Sequence, residues 1–230
     1  MRPADCENVQ ELACQIDSRI NASAALNTAA IRTIRREYSK ILKATAPEQV
    51  LDLARRLLSR PGIVNRFVAY ELICHHRPAL ASLGKKELEQ LGAGMEGWAA
   101  VDTFACYLSG PAWRERQVTD SVIHRWARSA DRWWRRVALV STVPLNNKSR
   151  GGAGDAKRTL AVCRLLVADR DDMVEKAMSW ALRELAKRDP KAVESFVLEN
   201  QLAIASRVIR EMRNKLTTGR KNPLLKRISN

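Results

Sequence analysis

Two helical stretches hold three residues suited to chemistry on a positively charged group: Trp98 and Asp102 in GWAAVDTF, and Trp180 in EKAMSWALRELAKRDP. Trp98 and Asp102 are four apart, so on a helix they share a face, with Cβ atoms about 5–6 Å from each other. An indole face attracts cations through its quadrupole, and a neighbouring carboxylate adds a full opposite charge. The rest of the chain is basic, with 40 Lys+Arg against 25 Asp+Glu and a net charge of +15. That excess favours a phosphate-rich partner such as DNA and makes binding salt-dependent. Duller roles stay open at this point: tryptophan at helical spacing is usually core, and Asp102 could simply pair with an arginine.

The elements that must position these residues are helical nearly throughout, and no alternating strand pattern is convincing. The periodicity predicts helices over 5–20, 27–43, 47–59, 63–76, 85–94, 97–109, 119–129, 131–143, 155–168, 172–188, 190–199 and 203–216. Thr45-Ala-Pro-Glu48 reads as a capping box with proline in the first turn, and Asp131 and Asp171/Asp172 fall where N-caps belong. Pro61-Gly62, Ser109-Gly110-Pro111 and Asp189-Pro190 read as turns. The segment from Pro144 to Gly154 reads as the most flexible of the chain. It has no GK[ST] after its glycines, so it is not a phosphate-binding loop of that type.

Several second helices look alike: VNRFVAYEL, WRRVALVST, VEKAMSWAL and SRVIREM. With Arg66, Trp98, Arg136, Lys176 and Arg207 as markers, the steps are 32, 38, 40 and 31 residues. This predicts an all-α, HEAT-like repeat α-solenoid of antiparallel helix pairs, in a single domain over 1–230 with a basic concave face. Such a face would gather Trp98, Asp102, Arg136, Lys176 and Trp180. An irregular helical bundle is the alternative, and a basic tail is expected over about 217–230.

The cysteines (Cys6, Cys14, Cys74, Cys106, Cys163) form no CxxC and are read as small buried apolar residues in a reducing compartment. The three histidines form no ligand pattern, and His75-His76 is expected to cap the carbonyls of a helix end. No stretch approaches a membrane span or a signal-peptide core, so a cytoplasmic location, nucleoid-associated through DNA, is expected. Of the remaining tryptophans, Trp113 and Trp126 read as structural. Trp133 and Trp134 are adjacent, so one is expected to pack and the other to face the groove.

From about residue 27 to 216 the chain resembles the AlkD-type DNA alkylation repair glycosylases, built from HEAT-like repeats. The resemblance is carried by GWAAVDTF, WWRRVALV and, most strongly, VEKAMSWALRELAKRDPKAVESFVLEN; it is weakest over 1–26. It implies hydrolysis of the N-glycosidic bond of positively charged alkylpurines (3-methyladenine, 7-methylguanine) in duplex DNA, without base flipping, in base excision repair. By the same resemblance Asp102 stabilises the sugar cation and orients water, while Trp98 and Trp180 pack on the deoxyribose. Arg136 and Arg183 match phosphate-binding arginines, with Arg135 a competitor of Arg136; Lys176 and Arg66 are expected phosphate contacts by position. No metal or cofactor is implied, and the expected partner is alkylated double-stranded DNA, bound by a monomer with no obligate protein partner and no membrane. The chain departs from the family in having no Tyr, Phe or Trp before Tyr38. A non-catalytic DNA-binding relative recognising distorted or branched DNA is therefore the alternative; a third reading is a helical scaffold binding an acidic protein.

Overall fold

A computed structural model describes residues 3–23 and 27–222, with side chains from residue 8 onward. The described residues contain helices and no strand, and they divide into two compact units, Met1–Val118 and Thr119–Asn230.

The first unit holds α1 (Pro3–Asn21), α2 (Thr28–Ile41), α3 (Pro47–Leu58), α4 (Ile63–Cys74), α5 (Arg77–Ala81), α6 (Lys85–Gly92), α7 (Trp98–Phe104) and α8 (Gly110–Arg114). α4 is its centre and packs against α2, α3, α5 and α7. That position explains its composition: Val68, Ala69, Tyr70, Leu72 and Ile73 are all buried, so the helix is apolar nearly all round. α3, by contrast, buries one stripe (Val50, Leu53, Ala54, Leu57) and shows arginines on the other side. Each buried Leu or Ile contributes about 1.5–3 kcal/mol relative to exposure.

The second unit holds α9 (Asp120–Ala127), α10 (Arg132–Val140), α11 (Val143–Asn146), α12 (Ala156–Leu165), α13 (Asp172–Leu185), α14 (Pro190–Glu199) and α15 (Ser206–Thr218). Here α13 is central, packed between α10 and α15 with α11, α12 and α14 beside it. The look-alike helices thus stack on one another, α10 on α13 on α15, as repeat units must to bury a continuous core. Val174, Ala177, Ala181, Leu182 and Leu185 form the buried stripe of α13.

Several local expectations hold. The Asp131 carboxylate accepts from the Trp133 amide at 2.8 Å, and Asp171 caps α13 through the Met173 amide at 2.8 Å. His75 Nδ1 meets the Glu71 carbonyl at 2.8 Å, while His76 instead caps the start of α5, accepting from the Ala79 amide. Trp113 and Trp126 are buried. Trp134 packs on Trp126, and Trp133 lies under the Arg132 guanidinium.

Others need correction. Ser109-Gly110-Pro111 is not a turn. α7 runs through a π-helical segment (Ala105–Ser109) directly into α8. A π segment changes the amide register, so a proline that donates no hydrogen bond is tolerated there. Thr45 does not cap α3: Pro47 fixes the start of the helix, which makes Ala46 the N-cap and leaves Thr45 one residue early. A Glu side chain does close back at Gly84, where Glu87 Oε2 accepts from the Gly84 amide at 3.0 Å.

The 144–154 segment is also not a loose loop. Pro144, Leu145 and Asn146 are buried in the short helix α11. Gly152 is so close to the backbone that an added Cβ would sit 2.5 Å from the Pro144 carbonyl oxygen. Arg188 clamps the segment by donating to the carbonyls of Asn146 and Gly152. Among the cysteines, Cys106 and Cys163 are buried as expected, Cys74 is half-buried and Cys14 is exposed, whereas the side chain of Cys6 lies outside the described residues. So does the structure of the expected tail from residue 223 onward.

Candidate nucleic-acid interface

Gly97 opens α7 at φ +81°, a backbone conformation that side chains rarely adopt, and this places Trp98 at the first helical position. Trp98 is 60% exposed, an unusual state for an indole. Asp102 follows one turn later, and the two line an open cleft of about 310 Å³ with Thr28 and Ile31 of α2 and Ile63, Phe67 and Tyr70 of α4. Apart from Asp102, Thr28, Thr103 and the Tyr70 hydroxyl, the lining side chains are apolar. Its chemical capacity is therefore narrow: an aromatic face, apolar walls and one carboxylate.

Two walls of the cleft are braced. The Tyr70 hydroxyl donates to the Leu91 carbonyl at 2.8 Å, and burial pushes its pKa up to about 12. Arg66, expected on a phosphate, donates to the Tyr70 oxygen at 2.7 Å and to the carbonyls of Leu91, Ala93 and Gly94. It closes the C-terminal end of α6, where carbonyls lack helical partners.

In the second unit, Lys176, Trp180 and Arg183 fall at i, i+4 and i+7 on α13 and so share one face of it. Lys176 is exposed and pairs with Asp172 at 2.6 Å. The Lys176 and Arg207 cations together hold the Asp172 carboxyl down to about 2. Trp180 is half-buried. Arg183 donates to Ser179 and to the buried Glu211 at 2.7 Å, and burial lowers its pKa against the pull of Glu211. Arg136 of α10 is buried and donates to the Met173 carbonyl at 2.5 Å. Arg135 pairs with Asp169 at 2.7 Å and donates to the carbonyls of Ser129 and Ala130.

The sequence profile of a family described as "DNA alkylation repair enzyme" matches residues 21–216. The chain belongs to the DNA alkylation repair enzyme family. That membership supports a role in DNA alkylation repair, with DNA as substrate. The fold agrees. A solved structure titled "Predicted DNA alkylation repair enzyme from Enterococcus faecalis" is similar with a TM-score of 0.71 at 15% identity, covering 92% of this chain and 96% of that one. This likeness extends the all-helical, HEAT-like repeat fold to the present chain. No curated protein matches it.

Sequence reasoning missed three residues beside the Trp98–Asp102 cleft. Phe67 supplies an aromatic wall, Tyr107 sets its ring edge-on to Phe67, and Arg32 reaches the Tyr107 hydroxyl. The aromatic pair is 40 residues apart in the chain. Only packing joins them.

Proposed function

We propose that the protein is a DNA glycosylase that hydrolyses the N-glycosidic bond of positively charged alkylpurines, 3-methyladenine and 7-methylguanine, in duplex DNA. The observation that carries this reading is the pairing of an exposed Trp98 with Asp102 in a cleft whose other walls are mainly apolar.

A cationic purine is already a good leaving group, so no acid need protonate it. The bond from the sugar C1′ to the purine nitrogen breaks, and its electron pair leaves with the base, which becomes neutral. Positive charge then develops on the deoxyribose. Asp102 faces that charge, and two unit charges 4 Å apart attract by about 4 kcal/mol at an effective dielectric near 20. Attraction that develops only in the transition state would contribute about 10²–10³ in rate. Water held by Asp102 adds to C1′ and loses its proton to solvent, leaving abasic DNA and free base. Trp98 packs its ring on the sugar, adding about 0.5–2 kcal/mol of cation–π attraction. The reaction needs neither metal nor cofactor, and the base stays in the duplex rather than in a pocket, unlike the usual case. This is the first step of base excision repair.

Trp180 takes a second sugar-packing role, and Arg136, Arg183, Lys176, Arg135 and Arg66 are the proposed phosphate contacts. The protein acts as a monomer on nucleoid DNA. One sequence feature favours a second reading, a non-catalytic DNA-binding relative: no aromatic residue precedes Tyr38.

Release of free base from duplex DNA containing 7-methylguanine tests the proposal, comparing wild type with Asp102→Asn. Excision by wild type, lost in the variant with DNA binding retained, is the expected result. Tight DNA binding by wild type with no base released would overturn the glycosylase and leave the second reading.

A further inference from the structure

The buried carboxylate of Glu71 on α4 pairs with two arginines of α2, Arg32 through Nε at 3.2 Å and Arg35 through Nε at 3.1 Å. One cation suffices to neutralise a buried carboxylate, and Arg35, with its side chain 12% exposed, is placed to do it. Arg32 is the surplus positive charge. Its side chain is 44% exposed, yet its guanidinium is oriented by Glu71 through Nε and by the Tyr107 hydroxyl through Nη2 at 3.4 Å.

That orientation occurs beside the cleft. Thr28, one turn before Arg32 on the same face of α2, lines it together with the adjacent Ile31, and so does Phe67, against which the Tyr107 ring sits. A strand that offers its deoxyribose to Trp98 and Asp102 must bring its phosphates close to a carboxylate that repels them. DNA carries one negative charge per about 3.4 Å of each strand, so a cation at the edge of the cleft is needed to offset that repulsion. Arg66 is tied into four backbone and hydroxyl oxygens. Arg32 is the more exposed of the two, and an arginine fixed on one edge presents its remaining N–H groups in the planar fork that suits phosphate.

We propose that Arg32 is a DNA-phosphate contact of the first unit, with Glu71 and Tyr107 as its positioning residues. The proposal rests on DNA being the ligand of the cleft, and not on the excision step. The test is equilibrium binding of a short fluorescent duplex to the full chain between about 50 and 200 mM salt, read by anisotropy. Arg55→Ala is the control, because Arg55 has a side chain 43% exposed and lies on α3, outside the cleft.

Arg32→Ala is expected to weaken binding about 10-fold and to make the slope of log K against log salt shallower by about one. Arg55→Ala should change neither much. Tyr107→Phe keeps the charge but loosens its aim, so it is expected to weaken binding a few-fold while leaving the salt slope at the wild-type value. Base release measured on the same preparations reports separately on the glycosylase. Equal behaviour of Arg32→Ala and Arg55→Ala, with both variants folded by circular dichroism, would overturn the proposal. Should Arg32→Ala fail to fold, Arg32→Gln keeps the hydrogen-bonding capacity without the charge, and an unchanged salt slope in that variant would overturn it equally.

Discussion

The Arg66 guanidinium donates to the Tyr70 hydroxyl at 2.7 Å, one turn along the same helix, and both side chains reach the Leu91 carbonyl, at 3.3 and 2.8 Å. This small network ties α4 to the end of α6 and holds one wall of the cleft. Arg66→Ala removes one of the two donors on the Leu91 carbonyl, while the exposed Ala93 and Gly94 carbonyls can turn to water, and is expected to destabilise the protein by about 1 kcal/mol. Chemical denaturation checks this. The phosphate role proposed for Arg66 is expected to show in addition as a salt slope shallower by about one in the variant.

The same network sets an alkaline limit. Tyr70 has its pKa raised by burial to about 12, against an ordinary value of 10.0. A raised pKa means that the unfolded chain loses its proton first. The contribution of Tyr70 to stability is thus fully present below pH 10 and is lost as pH rises through about 12. Tyr70→Phe is expected to flatten the fall in melting temperature over that window, at a cost near neutrality of about 1 kcal/mol for the lost hydrogen bond.

Two tryptophans should respond oppositely to truncation. Trp98 is 60% exposed and Trp113 is fully buried. Trp98→Ala is expected to leave the unfolding free energy within about 0.5 kcal/mol of wild type while reducing base release by tenfold or more. Trp113→Ala opens a cavity and should cost about 3–5 kcal/mol. Loss of stability in Trp98→Ala comparable to that in Trp113→Ala would assign Trp98 to packing.

Gly152 offers a test of the 144–154 segment. Gly152→Ala places a methyl group 2.5 Å from the Pro144 oxygen and 2.6 Å from the Leu145 carbonyl carbon. Backbone must move, so a loss of about 2–4 kcal/mol is expected. Thermal unfolding measures it. A neutral outcome would mean that the segment gives way readily.

Legibility in the sequence depends on how local each signal is. Asp131 and Asp171 cap helices through amides two residues on, so their role is written in a few adjacent letters. Trp98 and Asp102 are likewise one helical turn apart, and both line the cleft. The Arg32–Glu71 pair spans 39 residues. Nothing in RTIRREY distinguishes Arg32 from Arg35 or Arg36 until α4 packs on α2. Thr45 failed for a different reason: two local signals competed, and the fixed φ of Pro47 outweighed the spacing of Thr45 and Glu48. In the 144–154 segment the glycines suggested looseness. Gly152 is there because backbone approaches backbone, and Gly151 and Gly154 because their φ is positive, at 82° and 107°, which composition alone does not separate from flexibility.

The π-helical segment between α7 and α8 gives one continuous rod two phases. Its front end must keep Trp98 and Asp102 turned toward the cleft, while its back end must keep Pro111, Ala112 and Trp113 turned into the core. An extra residue accommodated in a wide turn rotates the downstream residues by about 100° relative to an unbroken α-helix. The polar and the buried ends are thereby set independently, without a loop to soften the joint. At the present chain length an unbroken α-helix from Trp98 to Arg114 could satisfy the cleft or the core, but not both.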